Sequence, residues 1–260
     1  MTSVGNDVLT ELMAVIGGSD SVELKLTVPD SHHRSTADAL DLDPVRAEIR
    51  QVVFFDTPDL ALNQAGLVVR ARRMPGDLAD TVVKLRPVVP DQIPEDLRRS
   101  GKVSVELDAM PGGHVCSASM KGKADAAAVR RVMRGEDRTG SLFSKGQKGF
   151  FETHAPAGLR MRDLSALGPI NILKLKFSPP DLGRKMVAEL WLYPNGGRIL
   201  ELSTKCAPGE AFQVAAEARA FLLSRGVDLD GEQQTKTKTA LEFFSAALGD
   251  GDARTGDPAP

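Results

Sequence analysis

The sequence predicts an α+β fold in which an antiparallel β-sheet closes into a barrel and helices pack against its outside. Two observations favour this fold. Seven segments alternate polar with apolar residues, the period of a β-strand, whose successive side chains point to opposite faces. Charged residues recur on one face of these segments, and the other face is almost wholly aliphatic. Closure gives every strand an inside and an outside, so the charged faces are expected to line a tunnel.

The alternating segments are spread over most of the chain. They cover residues 21–28, 66–72, 81–86, 102–108, 172–177, 187–193 and 198–205. The run Pro194-Asn-Gly-Gly197 between the last two predicts a hairpin with a tight loop. For any one strand, a half-buried sheet with a solvated polar face is the simpler interpretation. Repetition of the same charged pattern in seven strands favours the tunnel.

The remaining segments predict helices that cover the aliphatic faces. The predicted helices cover residues 6–16, 124–133, 141–151, 209–225 and 237–247. The Gly17-Gly18 pair ends the first of them, and Gly226 caps the fourth.

The predicted domain organisation follows from these elements. Residues 1–18 form an N-terminal helix, and residues 19–245 form the tunnel domain. Within that domain, residues 110–165 are predicted to be a mostly helical insertion. Residues 246–260 are small, polar and rich in Pro and Gly, which predicts a disordered tail.

Composition excludes several classes of function. The formal net charge is −2, whereas nucleic-acid binders are usually clearly basic, so no DNA partner is expected. No apolar stretch approaches the length of a transmembrane helix, so no membrane partner is expected. Cys116 and Cys206 lie far apart, match no metal-ligand spacing and fit a reducing compartment. Residues 1–18 lack the features of a secretory signal, and a cytoplasmic location is expected.

The predicted lumen carries both signs of charge. Its cations are Lys25, Arg70, Arg72, Lys84, Lys174 and Lys205, and its acids are Glu23, Glu106, Asp108, Glu189 and Glu201. Lysine and arginine neutralise phosphate oxygens, and carboxylates hold hard divalent cations such as Mg²⁺ or Mn²⁺. The pattern therefore predicts a site for a polyanion and a metal ion.

One run of the sequence resembles a known signature. Residues 53–72, VFFDTPDLALNQAGLVVRAR, contain an aromatic pair, Asp-Thr, a Leu, a Gly and then Arg-x-Arg, in the order and spacing of the CYTH, or triphosphate tunnel metalloenzyme, family. Glu23-x-Lys25 stands where that family has Glu-x-Glu-x-Lys, and Lys84 matches the lysine of the next strand. The resemblance spans about residues 20–243, and residues 110–165 match poorly.

Two features near the C-terminus extend the resemblance. Glu189, a hairpin and then Glu201 match the late acidic strands of the family. Thr235-Lys236, before Ala240-Leu241, resembles its small-residue–Lys element.

The resemblance implies a tunnel of about eight antiparallel strands and metal-dependent chemistry on triphosphates. Family members hydrolyse inorganic triphosphate, thiamine triphosphate or RNA 5′-triphosphate, or cyclise ATP. The substrate expected here is a triphosphate-containing small molecule or polyphosphate. Carried over, the resemblance implies phosphate binding by Lys25, Arg70, Arg72, Lys84, Lys236 and either Lys174 or Lys176.

The expected roles of the other residues complete the site. Lys205 is included among the phosphate-binding residues because it belongs to the predicted lumen. The expected metal ligands are Glu23, Glu189 and Glu201, with Asp108 added. Glu23 and Glu201 are also expected to act in catalysis, and Glu106 is expected to position water.

The chain departs from the family pattern at two positions. Ser21 and Ser203 stand where the family has glutamates, and a hydroxyl is a weaker, uncharged ligand. Three functions therefore remain open: a triphosphate hydrolase, a sensor that binds polyphosphate or nucleotide without turnover, and an adenylate cyclase. Residues 110–165 also leave three alternatives open: the surface of a homodimer, a lid and a partner site.

Overall fold

A computed structural model describes the backbone of residues 3–229, 233 and 236–254, and the side chains of residues 10–229, 233 and 236–246. Among these residues, no helix has both the length and the apolar character that crossing a bilayer requires.

The strands of the described chain form one closed barrel. In chain order they are β1 (Ser21–Val28), β2 (Glu48–Asp56), β3 (Leu67–Arg73), β4 (Leu78–Leu85), β5 (Val103–Met110), β6 (Gly113–Asp125), β7 (Ser165–Phe177), β8 (Met186–Leu192) and β9 (Arg198–Cys206). Around the ring the order is β1-β5-β6-β4-β3-β2-β7-β8-β9, and β9 pairs with β1. The predicted closed barrel is confirmed, with nine strands where about eight were expected.

One strand pair departs from the predicted antiparallel arrangement. β1 runs parallel to β5, with Glu23 opposite Asp108, and every other neighbouring pair in the ring is antiparallel. A ring with an odd number of strands cannot alternate direction all the way round, so a nine-stranded barrel needs such a pair. The parallel pair brings the acids of the first and fifth strands side by side.

The helices lie outside the barrel or at its ends. They are α1 (Ser3–Gly18), α2 (His33–Ala39), α3 (Ala61–Gln64), α4 (Glu95–Arg99), α5 (Ala126–Met133), α6 (Lys145–His154), α7 (Ala211–Ser224) and α8 (Lys236–Arg254). α8 extends beyond the predicted end near residue 247, into the segment predicted to be a disordered tail. Residues 255–260 of that predicted tail lie outside the described residues.

The prediction that residues 110–165 are mostly helical is wrong for residues 113–125. These residues form β6, which pairs with β5 on one side and β4 on the other. The sequence of β6, GHVCSASMKGKAD, is rich in small residues and contains a single β-branched residue, Val115, so its strand propensity is weak. Pairing along both edges overrides that weak propensity.

The two helices that follow β6 cover the outward faces of the neighbouring strands. Asp125 caps α5 by accepting hydrogen bonds from two backbone amides, and Ser144 and Gln147 form a capping box on α6. Val129 of α5 and Phe151 of α6 are fully buried in one cluster with aliphatic residues of β3 and β4. The aliphatic faces are therefore outside the lumen, as the alternation predicts.

Candidate functional site

The barrel encloses a cavity of about 600 Å³ lined by charged side chains. All but one of the predicted site residues line it. They are Glu23, Lys25, Arg70, Arg72, Lys84, Glu106, Asp108, Lys174, Glu189, Glu201, Lys205 and Lys236. Lys176 is the exception. It is exposed near the end of β7, in a separate groove beside Phe177 and Arg225, so the structure does not bring it into the lumen.

Asp108 is the most deeply buried charge in the described lumen. Its side chain is 0% exposed, and Lys25 Nζ lies 2.9 Å from its Oδ1 and 3.2 Å from Glu23 Oε2. Arg86 and Lys84 approach Asp108 Oδ2 at 3.5 and 3.9 Å. Burial raises the pKa of Asp108, but the charges of Lys25 and Lys84 outweigh it and hold the pKa below its usual value.

The Lys25 ammonium responds to the same carboxylates. Burial alone lowers the pKa of Lys25, but the attraction of Glu23 and Asp108 is stronger and raises the pKa above its usual value. Lys25 therefore stays charged at physiological pH and holds the two carboxylates together.

For Lys84, the effect of burial on the pKa is stronger than the attraction of the nearby carboxylates. Burial lowers the pKa of Lys84 to about 8, because nearby Lys25 and Arg70 add repulsion and Asp108 offsets only part of the cost. This ammonium has a surplus of positive neighbours and is suited to an incoming anion.

Three carboxylates form a compact acidic group at the parallel strand pair. Oxygens of Glu23, Glu106 and Asp108 lie within 4.8 Å of one another. Lys25 contacts Asp108 Oδ1 at 2.9 Å, and the nearest cation to Asp108 Oδ2 is Arg86 at 3.5 Å. Lys205 contacts Glu106, but its side chain is 51% exposed and can move away. Closely spaced carboxylate oxygens fit a hard divalent cation such as Mg²⁺ or Mn²⁺.

A second acidic group lies across β8 and β9, where Glu189 and Glu201 are opposite each other. Lys236 Nζ, at the start of α8, lies 2.7 Å from Glu189 Oε2 and 2.7 Å from Glu201 Oε1. Lys174 Nζ lies 2.7 Å from Glu189 Oε1. Burial raises the pKa of Glu189, and the charges of Lys236 and Lys174 outweigh it and lower the pKa far below its usual value.

Trp191 fills the lumen beside this group. Its ring is buried and stacked near Phe54, and its Nε1 donates to Glu189 Oε2 at 3.3 Å. Lys236 Nζ lies 5.0 Å from the centre of the ring, within the range of a cation–π contact. Tyr193 Oη donates to the carbonyl oxygen of Lys236 at 3.1 Å and so fixes the start of α8.

Arg70 and Arg72 of β3 both face the lumen, in different surroundings. Arg72 contacts Asp80, its cross-strand partner on β4. Arg70 has no carboxylate within ion-pair distance in the described chain, and its buried Nε has no hydrogen-bond acceptor there. Burial and the charge of Arg72 lower the pKa of Arg70.

The structure divides the predicted metal ligands between two places. Glu23 and Asp108 lie together with Glu106, whereas Glu189 and Glu201 surround Lys236. The roles of the individual residues remain predictions.

Five charged residues that line the cavity were not among the predicted site residues: Arg50, Asp80, Arg86, Lys121 and Lys238, whose side chain is 66% exposed. The same alternation could have located Asp80, which precedes Val82 by two residues on β4, and Arg86, which follows Lys84 by two. Lys121 lies in the segment predicted to be helical.

Comparison with known proteins shows similarity in structure but not in sequence. No family model matches the chain, and no curated protein matches it either. A solved structure of a proposed adenylyl cyclase from Hippeastrum, described as having a dominant triphosphatase activity, superposes with a TM-score of 0.63 at 17% identity, covering 92% of this chain and 97% of that one. A proposed adenylate cyclase from Bacillus halodurans superposes with a TM-score of 0.59 at 10% identity, covering 85% of this chain and 97% of that one. At these identities the matches show a shared fold, and the tunnel implied by the CYTH resemblance is confirmed.

Proposed function

From the shared tunnel fold and its charged lumen, we propose that the chain binds a triphosphate-containing anion together with Mg²⁺ or Mn²⁺ and hydrolyses its terminal anhydride bond. The single observation that carries the proposal is the charge of the cavity. Eleven lysine and arginine side chains and six aspartate and glutamate side chains of the described chain line it. The lumen therefore has a surplus of five positive charges in a chain whose formal net charge is −2.

The cations are arranged to bind phosphate groups along the tunnel. Arg70 offers unpaired guanidinium donors, and guanidinium matches phosphate oxygens with paired hydrogen bonds. Lys84 gains a counter-charge when the anion enters, which removes part of the cost of its burial. An enclosed cavity strengthens these contacts because water screens them less than at a surface. Polyphosphate offers the same repeating oxygens and is a second expected ligand.

The group formed by Glu23, Glu106 and Asp108 would hold the metal ion. When bound there, a divalent cation supplies charge neutralisation on phosphate oxygens and a lowered pKa of coordinated water. Burial raises the pKa of Glu106, but Lys205 outweighs it and lowers the pKa, so Glu106 stays ionised. An ionised carboxylate accepts a hydrogen bond from water, which supports our assignment of Glu106 to orient the water that attacks the terminal phosphorus.

Transfer then breaks the bond between the terminal phosphorus and its bridging oxygen as the water oxygen bonds to phosphorus, and the water gives a proton to the ionised Glu106 carboxylate. The negative charge that develops on the transferring phosphoryl group and on the leaving oxygen faces fixed cations of the chain. The Hippeastrum protein, which shares the tunnel fold, is described as having a dominant triphosphatase activity, and this supports the proposed reaction class.

Binding without turnover is the second candidate. It is favoured by Ser203, which replaces a carboxylate, and by Lys236, which neutralises Glu189 and Glu201. A chain with too few free carboxylates would bind a polyphosphate or nucleotide and act as a sensor.

A cyclase is the third candidate, because both structures that share the fold are described as proposed cyclases.

We also propose a cytoplasmic location, where the buried thiols of Cys116 and Cys206 remain reduced.

One set of assays separates the three. Phosphate release from triphosphate, with Mn²⁺ or Mg²⁺, is expected for the hydrolase. A thermal shift with triphosphate but no release indicates the sensor, since any ligand of the folded state stabilises it. Cyclic AMP formation from ATP indicates the cyclase. Absence of both a thermal shift and phosphate release would overturn the proposal.

A further inference from the structure

The ammonium of Lys236 occupies the place between two carboxylates where a cation is needed. It lies 2.7 Å from an oxygen of Glu189 and 2.7 Å from an oxygen of Glu201, and it faces the ring of Trp191. Lys174 takes the other oxygen of Glu189 at 2.7 Å. Two lysines therefore neutralise two carboxylates, and three of the four carboxylate oxygens are already in contact with an ammonium.

This group is largely buried, although it lines the cavity. The side chains of Lys236, Glu189 and Glu201 are 11%, 17% and 9% exposed. A buried carboxylate is costly unless it is paired, so the pair requires a permanent counter-ion. Ser203, across from Val187 on the same strand pair as Glu189 and Glu201, adds a hydroxyl and no further negative charge.

The ammonium is delivered by a fixed element. Lys236 is the first residue of α8, and its carbonyl oxygen accepts a hydrogen bond from Tyr193 Oη at 3.1 Å. One turn further on, Ala240 and Leu241 are 0% and 2% exposed in the cluster at this end of the barrel. The backbone that carries Lys236 is therefore held at Lys236 itself and one turn later in α8.

The acidic group at Glu23, Glu106 and Asp108 contrasts with this arrangement. It has three carboxylates rather than two, and Lys25 contacts only one oxygen each of Glu23 and Asp108. The cation that contacts Glu106, Lys205, is half exposed and can move away. With a third carboxylate and an exposed counter-ion, this group is better suited to a metal ion than the Glu189–Glu201 pair.

We propose that Lys236 replaces one metal ion, so that the chain binds a single divalent cation at Glu23, Glu106 and Asp108 while its own ammonium occupies the Glu189–Glu201 pair. This inference rests on the proposed metal-assisted function and specifies its metal number. The triphosphate then meets one divalent cation on the β1–β5 side of the lumen and a lysine on the β8–β9 side.

The test is the Mn²⁺ stoichiometry of the metal-free full chain without triphosphate, measured by calorimetry and by the loss of the free-Mn²⁺ electron paramagnetic resonance signal. One Mn²⁺ is expected for the wild type and two for Lys236→Met, which keeps most of the length of the side chain and removes its charge. Lys238→Met is the matched control in the same helix. Its ammonium lies near Glu242, at 3.8 Å, and one Mn²⁺ is expected.

Two bound Mn²⁺ in the wild type, or one in a folded Lys236→Met variant, overturns the inference. A second pair of variants serves if Lys236→Met does not fold. Glu201→Gln is expected to keep one Mn²⁺, and Asp108→Asn is expected to lose it; the reverse pattern overturns the inference. If the wild type binds no Mn²⁺, both this inference and the proposed metal site are overturned. One Mn²⁺ without phosphate release overturns the hydrolase and leaves the metal assignment standing.

Discussion

Arg70 and Arg72 lie two residues apart on β3 and face the same lumen, yet Arg72 contacts the carboxylate of Asp80, and Arg70 has no acidic partner within ion-pair distance in the described chain. A buried cation without a partner is costly to the free protein. Arg70 therefore gains a counter-charge when a polyanion enters.

The first prediction concerns Arg70→Ala. Loss of a charge-assisted hydrogen bond costs about 1.5–3 kcal/mol, so the dissociation constant for triphosphate is expected to rise about 10- to 100-fold. The free energy of unfolding is expected to stay the same or increase, because an unpaired buried charge is removed. Isothermal calorimetry and denaturant unfolding measure the two effects.

Arg73→Ala is the control for this prediction. Arg73 follows Arg72 on β3, so it points away from the lumen, and its Nη1 donates to Gln51 Oε1 at 2.6 Å. Its removal is expected to leave triphosphate affinity nearly unchanged. Equal losses for Arg70→Ala and Arg73→Ala contradict the assignment of Arg70 to the binding site.

The second prediction concerns pH and Lys84. The pKa of Lys84 is lowered to about 8 in the free protein, and a bound polyanion favours its charged form. Binding of triphosphate, measured with EDTA present, is therefore expected to take up a proton at about pH 8 and to weaken as pH rises further. Calorimetry in buffers with different ionisation enthalpies measures the proton uptake, and Lys84→Met is expected to abolish it.

The stability of the free protein has the opposite dependence on pH. Since the folded-state pKa of Lys84 lies below its ordinary value of 10.5, the unfolded chain binds more protons between the two pH values. The contribution of Lys84 to stability is therefore unfavourable below pH 8 and improves as pH rises through that interval. The free energies of unfolding of the wild type and Lys84→Met, plotted against pH, are expected to converge between pH 8 and 10.5. A difference that stays constant over this interval contradicts the lowered pKa of Lys84.

The third prediction concerns Asp108→Asn. Asp108 is the common partner of Lys25, Lys84 and Arg86, so its neutralisation leaves three cations with too little counter-charge. Breaking a buried pair in this way costs about 3–5 kcal/mol, which denaturant unfolding measures. Triphosphate supplies the missing negative charge and is expected to raise the Tm of this variant more than that of the wild type.

Glu106→Gln is the comparison for Asp108→Asn. Its partner Lys205 is half exposed, so the loss of stability is expected to be less than about 1 kcal/mol. A cost for Glu106→Gln as large as that for Asp108→Asn is incompatible with this account of the lumen.

The fourth prediction concerns the contact between α6 and the barrel. Gln147 is fully buried, and its Nε2 donates to the carbonyl oxygens of Thr81 and Met120, at 3.2 Å each. A Cβ at Gly122 would lie 2.4 Å from Gln147 Oε1, so Gly122→Ala is expected to destabilise the fold by about 1–3 kcal/mol through overpacking. Gly149→Ala, with open space around its Cβ in the same helix, is expected to stabilise by up to about 1 kcal/mol. Thermal unfolding of the two variants measures both effects.

The alternation of side chains predicted most of the residues that face the lumen, although it wrongly included Lys176. In β1, β3 and β8, the inward positions of Glu23, Arg70 and Glu189 follow from their strand period alone. The weak propensity of β6 hid Lys121, because its strand forms only when β4 and β5 pair with both of its edges.

The partners of each charge could not be predicted from the sequence. The neighbour of β1 in the ring is β5, which is distant in the chain, and no local pattern specifies that pairing. The sequence therefore predicts one set of metal ligands, Glu23, Asp108, Glu189 and Glu201, whereas the structure separates Glu23 and Asp108 from the Glu189–Glu201 pair.

The position of β1 in the ring also determines when the barrel can close during folding. β1 pairs with β5 and β9, so one of its edges has no partner until β5 has been synthesised and the other has none until residues as far as 206 have been synthesised. Contacts so distant along the chain slow folding, and an open strand edge can pair with other chains. Glu23 and Lys25 enter the lumen only with this last closure, so a nascent chain acquires its anion-binding capacity late, and slow refolding after dilution from denaturant is the expected behaviour.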